Sequence, residues 1–288
     1  MIENKTISIH DLEFDCRISG NENHELVLFL HGFPETSYMW IPLMDSISKL
    51  GFYCVAPNMR GYSKSACPKG KKHYTIDKLT DDAINIASTF SKESFHLVAH
   101  DWGAAIGWNL VYQNPKRIIS YTALSVPHIK AFSQAIVLDK DQKKKSQYIK
   151  NFQIPFLPEI NIRKNNFAVF RRLWKHSSND EIEDYLSVFK SKRCLTASIN
   201  YYRANYKIFR NNSIGDIKKP TLFIWGEHDL AIGNYGVENN HKYMKDYYKF
   251  VQLETGHWLI QTAFKQVNNE IVEHLLKFKV TSNLSNNH

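Results

Sequence analysis

The sequence predicts an α/β fold in which helices cover both faces of a mostly parallel sheet, and two observations support this prediction. First, short and continuous apolar runs that end in turn residues recur along the chain, as expected for buried parallel strands. They lie at residues 26–30, 52–56, 95–99, 118–124, 221–225 and 248–253. Second, helical patterns alternate with these runs, and this alternation is typical of a parallel sheet flanked by helices.

Two of the predicted helices are well defined by their composition. Residues 103–113 are mostly small or apolar, which predicts a buried helix directly after the third apolar run. Near the end of the chain, apolar residues recur at helical spacing, which predicts an amphipathic helix with one buried face. These residues are Phe264, Val267, Ile271 and Leu275.

The alternation stops between the fourth and fifth apolar runs. Residues 130–212 are rich in lysine and aromatic residues, show helical spacing and contain no strand-like run. The simplest interpretation is one α/β core interrupted by a helical insertion. We therefore predict a core formed by residues 1–129 and 216–288, with a helical cap, or lid, formed by residues 130–215.

Composition argues against several classes of function. The formal charge is +9, but the lysines are spread along the chain with one dense run at 143–145. This distribution predicts a solvated basic surface and no nucleic-acid partner. The four cysteines have no regular spacing and predict neither a disulfide framework nor a metal site. Without a signal-peptide pattern or an apolar run of roughly 20 residues, we expect a cytoplasmic protein that does not insert into membranes.

A candidate nucleophile follows the third apolar run. Residues 99–103 read Ala-His-Asp-Trp-Gly and connect a predicted strand to a predicted helix. A tight turn of this kind holds a nucleophile in a strained backbone conformation and admits only small flanking residues. Asp101 occupies the central position, where the helix N-terminus favours an ionised carboxylate. An aspartate that only caps the helix would look the same, so this motif alone does not decide between the two roles.

Two further residues support the catalytic interpretation. Asp229 follows the apolar run at 221–225, and His257 follows the run at 248–253. Nucleophile, acid and histidine in this chain order, each after a strand, form the triad pattern of a nucleophile-elbow enzyme. Each residue alone has an ordinary structural explanation. The combination predicts a triad of Asp101, Asp229 and His257.

The loop at residues 31–35, His-Gly-Phe-Pro-Glu, follows the first apolar run. It resembles a loop that contributes a backbone amide to an oxyanion hole. The backbone N–H groups of Phe33 and Trp102 are therefore expected to face the site together.

These motifs make the chain resemble the epoxide hydrolase branch of the α/β-hydrolase superfamily, from about residue 26 to residue 278. This resemblance implies the α/β-hydrolase fold, with the helical cap inserted after the sixth strand. Two residues depart from the family pattern. Ala99 stands where the family usually has glycine, and Asn58 stands where it tends to have aspartate. Neither departure touches the triad.

The resemblance also implies two cap tyrosines whose hydroxyls hold the oxygen of the epoxide. One lies four residues before a Phe-Gln-x-Pro motif, which identifies Tyr148. The other lies in a segment like Asn-Trp-Tyr-Arg, and residues 200–203 read Asn-Tyr-Tyr-Arg here. Tyr202 takes the tyrosine position, but Tyr201 replaces the usual tryptophan. Which of these two neighbours faces the pocket is therefore left open.

The implied reaction opens an apolar epoxide to a vicinal diol. Asp101 attacks a ring carbon while Tyr148 and Tyr202 donate hydrogen bonds to the oxygen. His257, oriented by Asp229, then activates a water that hydrolyses the ester. The expected partners are the epoxide and water, and no metal or organic cofactor is required. The residues expected to line the pocket are His31, Phe33, Pro34, Trp102, Phe152, Phe156, Leu230 and Trp258.

Two alternatives remain at this stage. A dehalogenase would use the same triad, with Trp102 as one halide donor. However, haloalkane dehalogenases often carry asparagine in the position of Phe33, and haloacid-type relatives carry arginines in the segment matching residues 104–110, which has none here. A non-catalytic ligand-binding protein on this fold is the second alternative. It would have no chemical need for all three triad residues.

Overall fold

The computed structural model of this protein describes residues 1–207 and 214–280, and within them eight strands form one sheet. The strand order is β1-β2-β4-β3-β5-β6-β7-β8. The strands are β1 Glu3–Ile9, β2 Leu12–Ser19, β3 Glu25–Leu30, β4 Phe52–Pro57, β5 Phe95–His100, β6 Ile118–Leu124, β7 Thr221–Gly226 and β8 Tyr248–Leu253. All six predicted strands are present within one residue of their predicted ends.

Helices connect these strands, and the predicted helices at 103–113 and near the C-terminus are both present. The α-helices of the described residues are α1 Ile41–Ser48, α2 Ile76–Thr89, α3 Trp102–Gln113, α4 Ile129–Leu138, α5 Lys140–Lys145, α6 Gln147–Asn151, α7 Leu157–Leu173, α8 Asn179–Phe189, α9 Lys192–Ala204, α10 Asn234–Glu238, α11 Leu259–Thr262 and α12 Phe264–Lys277. The predicted helices correspond to α3 and α12. Helix α7 is interrupted by non-helical backbone between Lys164 and Phe167. Short 3-10 helices occupy some of the loops, as at Ser37–Trp40 and Lys64–Ala66.

The sheet is parallel from β4 through β8, which brings the carboxyl ends of these strands to one edge. The strands at its centre are buried along their length because helices pack on both faces. The sequence prediction missed β1 and β2, which pair antiparallel with each other and with β4. Five of the seven residues of β1 are exposed, so this edge strand lacks the continuous apolar run that reveals a buried strand.

The segment between β6 and β7 has the helical character that the sequence predicts. Its described residues form helices α4 to α9 and no strand. The division into a core of residues 1–129 and 216–288 and a cap of residues 130–215 remains a prediction, and residues 208–213 and 281–288 lie outside the described ranges. In residues 1–207 and 214–280, none of the helices is long and apolar enough to cross a membrane.

Candidate active site

Asp101 lies at the turn between β5 and α3 in a strained backbone conformation, with φ 51° and ψ −117°. Neighbouring atoms approach so closely that glycine is required at two positions. A Cβ atom on Gly103 would lie 2.1 Å from the carbonyl oxygen of Leu30, and one on Gly32 would lie 2.3 Å from the Cβ of Asp101. Ala99, the departure from the family pattern, is fully buried in β5, and the turn forms with alanine there.

Asp101, His257 and Asp229 meet at the carboxyl edge of the sheet. The Nε2 atom of His257 lies 3.5 Å from Oδ2 of Asp101, and its Nδ1 atom lies 2.7 Å from Oδ2 of Asp229. All three side chains are buried. The other oxygen of Asp229 accepts backbone N–H bonds from Ala231 and Ile232 at 2.7 and 2.9 Å. The structure thus brings together the three residues that the sequence assigned to a triad.

The surroundings of Asp101 and His257 shift the pKa values of these two residues. Burial acts to raise the pKa of Asp101, but the hydrogen bond and charge of His257, helped by the backbone N–H of Phe33, hold this pKa below its ordinary value. Burial acts to lower the pKa of His257, but the charge of Asp229 and the hydrogen bonds to both carboxylates hold this pKa well above its ordinary value. The resting site therefore favours an aspartate–imidazolium pair.

The predicted oxyanion-hole residues flank Asp101. The backbone N–H of Phe33 donates to Oδ1 of Asp101 at 2.8 Å. Trp102 is the first residue of α3, so its backbone amide lies at the helix N-terminus directly after the candidate nucleophile. This places a donor beside the carboxylate oxygen on which negative charge would develop.

The rings of Tyr148 and Tyr202 contact each other, and the ring of Tyr202 lies against the two oxyanion-hole residues. Their ring centroids are 5.7 Å apart, and the ring of Tyr202 also meets those of Phe33 and Trp102 edge-on at 5.5 and 5.0 Å. Tyr201 takes a different role, because its hydroxyl donates to the carbonyl of Arg60 at 2.6 Å. Of the two neighbouring tyrosines, Tyr202 therefore faces the triad.

The two phenols stay protonated across the ordinary range of pH. Burial is the largest cause that raises the pKa of Tyr148 and of Tyr202 above the usual value, and the negative charge of Asp101 raises both further. A protonated phenol has one O–H group that can donate a hydrogen bond. A neighbouring carboxylate makes loss of this proton harder. The site thus combines a buried carboxylate with two neighbouring O–H donors.

Comparison with known proteins identifies the family of this chain. A family model described as the alpha/beta hydrolase fold matches residues 25–263. The chain belongs to the α/β-hydrolase family. The predicted class, a hydrolase of this fold, is confirmed by this match and by the relatives. Human "Epoxide hydrolase 4" is 31% identical to this α/β-hydrolase over 274 residues, which cover 90% of this chain and 75% of the relative.

Further relatives of this α/β-hydrolase are also named epoxide hydrolases. Mouse "Epoxide hydrolase 3" is 32% identical over 255 residues, which cover 85% of this chain and 68% of the relative. Among solved structures, an epoxide hydrolase from Bacillus megaterium in complex with an inhibitor superposes with a TM-score of 0.86 at 27% identity. That match covers 94% of this chain and all of the other. The resemblance to the epoxide hydrolase branch is thereby confirmed.

Five of the predicted pocket residues lie close to the triad or to the tyrosines. Besides Phe33 and Trp102, these are Phe152, whose ring centroid lies 4.9 Å from that of Tyr202, and Trp258, whose ring lies 5.2 Å from that of His257. The fifth is Pro34, which is buried beside Phe33 and whose carbonyl accepts the indole N–H of Trp174.

The other three predicted pocket residues have different positions. Phe156 precedes α7 at the surface with 76% of its area exposed, and Leu230 is 52% exposed, so neither side chain supports a place in a buried pocket. His31 is fully buried and faces the backbone. Burial lowers its pKa to about 4, its Nδ1 donates to the carbonyl of Gly32, and its Nε2 accepts from the N–H of Met59. The imidazole of His31 is therefore neutral, and its hydrogen bonds stabilise the loop that carries Phe33.

Sequence analysis missed a buried network behind the triad. His100 lies between Oε2 of Glu35, 3.0 Å from its Nδ1, and the carbonyl of His257, 3.0 Å from its Nε2. The other oxygen of Glu35 accepts from the amide of Gln261. Because a carbonyl oxygen only accepts, Nε2 of His100 is the donor to His257. The motifs at 31–35 and 99–103 contained Glu35 and His100, but their spacing does not reveal that they pair.

A second missed contact connects α5 to the loop that carries Asp229. The side chain of Gln142 accepts the N–H of Gly233 at 2.8 Å and donates to the carbonyl of Ala231 at 2.7 Å. Lys145 donates to the carbonyls of Asp229 and Ile232 at 2.6 and 3.2 Å. The sequence prediction of a solvated basic run at 143–145 is therefore wrong for Lys145, whose side chain is 23% exposed.

One group of side chains in the described part of the chain has the spacing of metal ligands. Glu227, His228 and Glu254 each offer a ligand atom within 4.8 Å of the others. All three are exposed and lie on the loops that also carry Asp229 and His257. Exposed acidic groups of this kind are common without an ion, and no further contact points to a bound metal.

Proposed function

We propose that this protein is an epoxide hydrolase that converts a small apolar epoxide and water to a vicinal diol through an alkyl ester on Asp101. The observation that carries the proposal is the pairing of two protonated phenols, Tyr148 and Tyr202, beside a buried and ionised Asp101. The names of the relatives support the same substrate class.

In the first half-reaction, a carboxylate oxygen of Asp101 attacks one carbon of the three-membered ring. The new C–O ester bond forms as the ring C–O bond breaks, and the ring oxygen becomes an alkoxide. Tyr148 and Tyr202 donate hydrogen bonds to that oxygen, and one of the phenols transfers its proton to it. The phenolate then regains a proton from the imidazolium of His257 or from solvent. A phenol suits this step because it stays neutral until strong negative charge develops next to it. No leaving group departs from the substrate.

The second half-reaction hydrolyses the ester. Esterification removes the negative charge of Asp101, which is one of the causes that raise the pKa of His257. The pKa of His257 therefore falls after the first step, and the imidazole becomes a base while Asp229 still orients it. It takes a proton from water, which attacks the ester carbonyl. When the resulting oxyanion collapses, the bond between the carbonyl carbon and the alkyl oxygen breaks, the diol leaves with a proton from His257, and the carboxyl of Asp101 returns its own proton to the imidazole. The backbone N–H of Phe33, with that of Trp102, stabilises the oxyanion, and loss of one such donor typically costs about 10²–10³ in rate.

The helices between β6 and β7 support a further part of the proposal. Helices α6 and α9, which carry Tyr148 and Tyr202, would form part of a cap over the core, with residues 130–215 as its bounds. The amide of Gln153 joins the two by donating to the carbonyls of Ile149 and Tyr202, at 2.9 and 3.2 Å. This contact gives a physical reason for the glutamine of the Phe-Gln-x-Pro motif, because it fixes the tyrosines relative to each other.

A dehalogenase is the second candidate, because the triad alone would serve it equally well. The indole of Trp102 is the feature that favours it. Against it stand the two phenols, since a departing halide needs a donor but no acid, and the apolar Phe33 in place of a second N–H donor. We therefore rank hydrolysis of epoxides above dehalogenation.

A trapping experiment distinguishes the two reactions. His257→Gln should form the ester with Asp101 but hydrolyse it more slowly by about 10²–10⁴. Incubated with styrene oxide, this variant should gain the whole substrate mass, because ring opening expels nothing. A bromoalkane would add the substrate mass less HBr. Peptide mapping should place the adduct on Asp101, and the double variant with Asp101→Ala should show none. If the parent enzyme hydrolyses styrene oxide but the variant forms no adduct, the ester mechanism is wrong.

A further inference from the structure

Two of the four cysteines form a close pair, although their positions in the sequence differ by 127. The Sγ atoms of Cys67 and Cys194 are 3.0 Å apart, and both residues are free thiols buried to 1% exposure or less. Cys67 ends the 3-10 helix Lys64–Ala66, which precedes α2, and Cys194 lies in the first turn of α9. The pair therefore joins the first part of the chain to the helix that carries Tyr202.

The surroundings of the pair shift the pKa values of the two thiols in opposite directions. Cys67 also faces the carbonyl of Ser63, and the bond to Cys194 and burial both raise its pKa. For Cys194, the hydrogen bond from Cys67 lowers the pKa most, and the positive charges of Lys64 and Arg193 lower it further against the effect of burial. One sulfur with thiolate character next to one that keeps its proton is the arrangement from which thiols are oxidised to a disulfide.

We propose that Cys67 and Cys194 are a site of reversible oxidation, at which hydrogen peroxide converts the two thiols to a disulfide. The Cys194 thiolate attacks one peroxide oxygen, so that an S–O bond forms, the O–O bond breaks and one water leaves after protonation. Cys67 then attacks the sulfur of this sulfenic acid, the S–O bond breaks and the oxygen leaves as a second water. Two thiols are oxidised and one peroxide is reduced to two waters.

The fold already holds the two sulfurs in place. The side chain of Arg193 donates to the carbonyl of Cys67, and the amide of Asn205 at the other end of α9 donates to the carbonyl of Tyr74 at 2.8 Å. The sulfurs lie only about 1 Å beyond the length of a disulfide bond, so a small movement of the two side chains would bring them to bonding distance. The disulfide would close a long loop that contains Asp101, and this constraint would stabilise the folded chain.

The test compares the intact protein before and after treatment with hydrogen peroxide. Oxidation should lower the mass by about 2 Da and raise Tm by about 5–10 °C, and dithiothreitol should reverse both changes. Peptide mapping should show one peptide pair linked through Cys67 and Cys194. In hydrogen exchange, the amides of α9 should exchange more slowly after oxidation, since the disulfide restricts opening of this helix.

Variants provide the controls. Cys67→Ser and Cys194→Ser should each abolish the mass loss and the Tm shift, whereas Cys16→Ser with Cys54→Ser should retain both. If a single variant does not fold, thiol labelling of the oxidised parent protein after denaturation without reductant answers the same question. All four cysteines are buried in the folded chain, and once it is denatured only Cys16 and Cys54 should accept a label. Oxidation that leaves Cys67 and Cys194 labelled, that adds oxygen to them without a link, or that joins two chains would overturn the proposal.

Discussion

Nδ1 of His257 lies 2.7 Å from Oδ2 of Asp229, and the opposite oxygen of this carboxylate is held by two backbone N–H groups. Asp229 is thus fixed on one side by its own loop and fixes the imidazole on the other. With Nδ1 engaged in this way, Nε2 is the ring nitrogen that faces Asp101. In the proposed mechanism, this geometry would let Asp229 orient His257 as the base and stabilise its positive charge.

We expect Asp229→Asn to slow turnover by about 10²–10⁴, because the amide presents a neutral side chain that can stabilise the wrong tautomer of His257. Attack by Asp101 should be less affected than hydrolysis, so the alkyl-enzyme should accumulate. Rapid-quench mass spectrometry with styrene oxide measures both steps. Equal slowing of the two steps would contradict the assignment of Asp229 to the base.

The pH dependence of the two half-reactions should differ. The lowered pKa of Asp101 keeps its carboxylate ionised as the pH falls, and the raised pKa values of Tyr148 and Tyr202 keep both phenols protonated as it rises. The rate of ester formation should therefore be flat over roughly pH 5 to 9. It should decline only when the pH falls through the lowered pKa of Asp101.

Ester hydrolysis should instead increase with pH until His257 has lost its proton. The relevant pKa of His257 is the one in the alkyl-enzyme, where the charge of Asp101 is gone, so it lies below the raised value of the resting site. Single-turnover experiments that follow formation and decay of the ester at each pH separate the two profiles. A hydrolysis rate that is independent of pH would contradict the role of His257 as the base.

The sequence predicted the parts of this molecule that leave a local pattern. The buried strands and the turn around Asp101 were predictable because continuous apolar runs and small flanking residues result directly from their environment. The edge strand β1 was missed because its exposure removes that pattern. Two contacts could not be predicted, since only the folded chain brings such polar groups together. They are the pairing of Glu35 with His100, 65 residues apart, and the hydrogen bond of Gln142 to Gly233.

Removal of the hydroxyls of Tyr148 and Tyr202 should affect ring opening. Tyr148→Phe and Tyr202→Phe should each lower the rate of ester formation by about 10–10², and the double variant should be far slower, because one remaining phenol partly serves. Tyr201→Phe is the matched control. Its hydroxyl bonds to the Arg60 carbonyl, so its loss should cost about 1 kcal/mol of stability and leave ester formation unchanged.

The measurement for these tyrosine variants is the pre-steady-state rate of ester formation, with the free energy of unfolding from urea denaturation alongside. If Tyr201→Phe slowed ring opening as strongly as Tyr202→Phe, the assignment of Tyr202 would be wrong. If the double variant kept the parent rate with epoxides, the phenols would have no role in the reaction.

The last prediction concerns Gln142, which is fully buried and holds the Asp229 loop by hydrogen bonds to Gly233 and Ala231. Gln142→Ala would leave this N–H and this carbonyl without their partner and remove one of the two side chains that join α5 to the loop, Lys145 being the other. We expect a loss of about 2–3 kcal/mol in the free energy of unfolding, since each unsatisfied buried group costs on the order of 1–3 kcal/mol. We also expect slower ester hydrolysis with little change in ester formation.

Lys144→Ala on the same helix is the control for Gln142, because Lys144 is exposed. It should change neither the unfolding free energy nor the two rates. We expect Gln142 to act on the reaction through Asp229 and His257, so its effect should be confined to the step that needs the base. In a double-mutant cycle, Gln142→Ala should therefore add little to the hydrolysis defect of Asp229→Asn. Fully additive defects in hydrolysis would show that Gln142 acts by another route, and its role in positioning Asp229 would have to be abandoned.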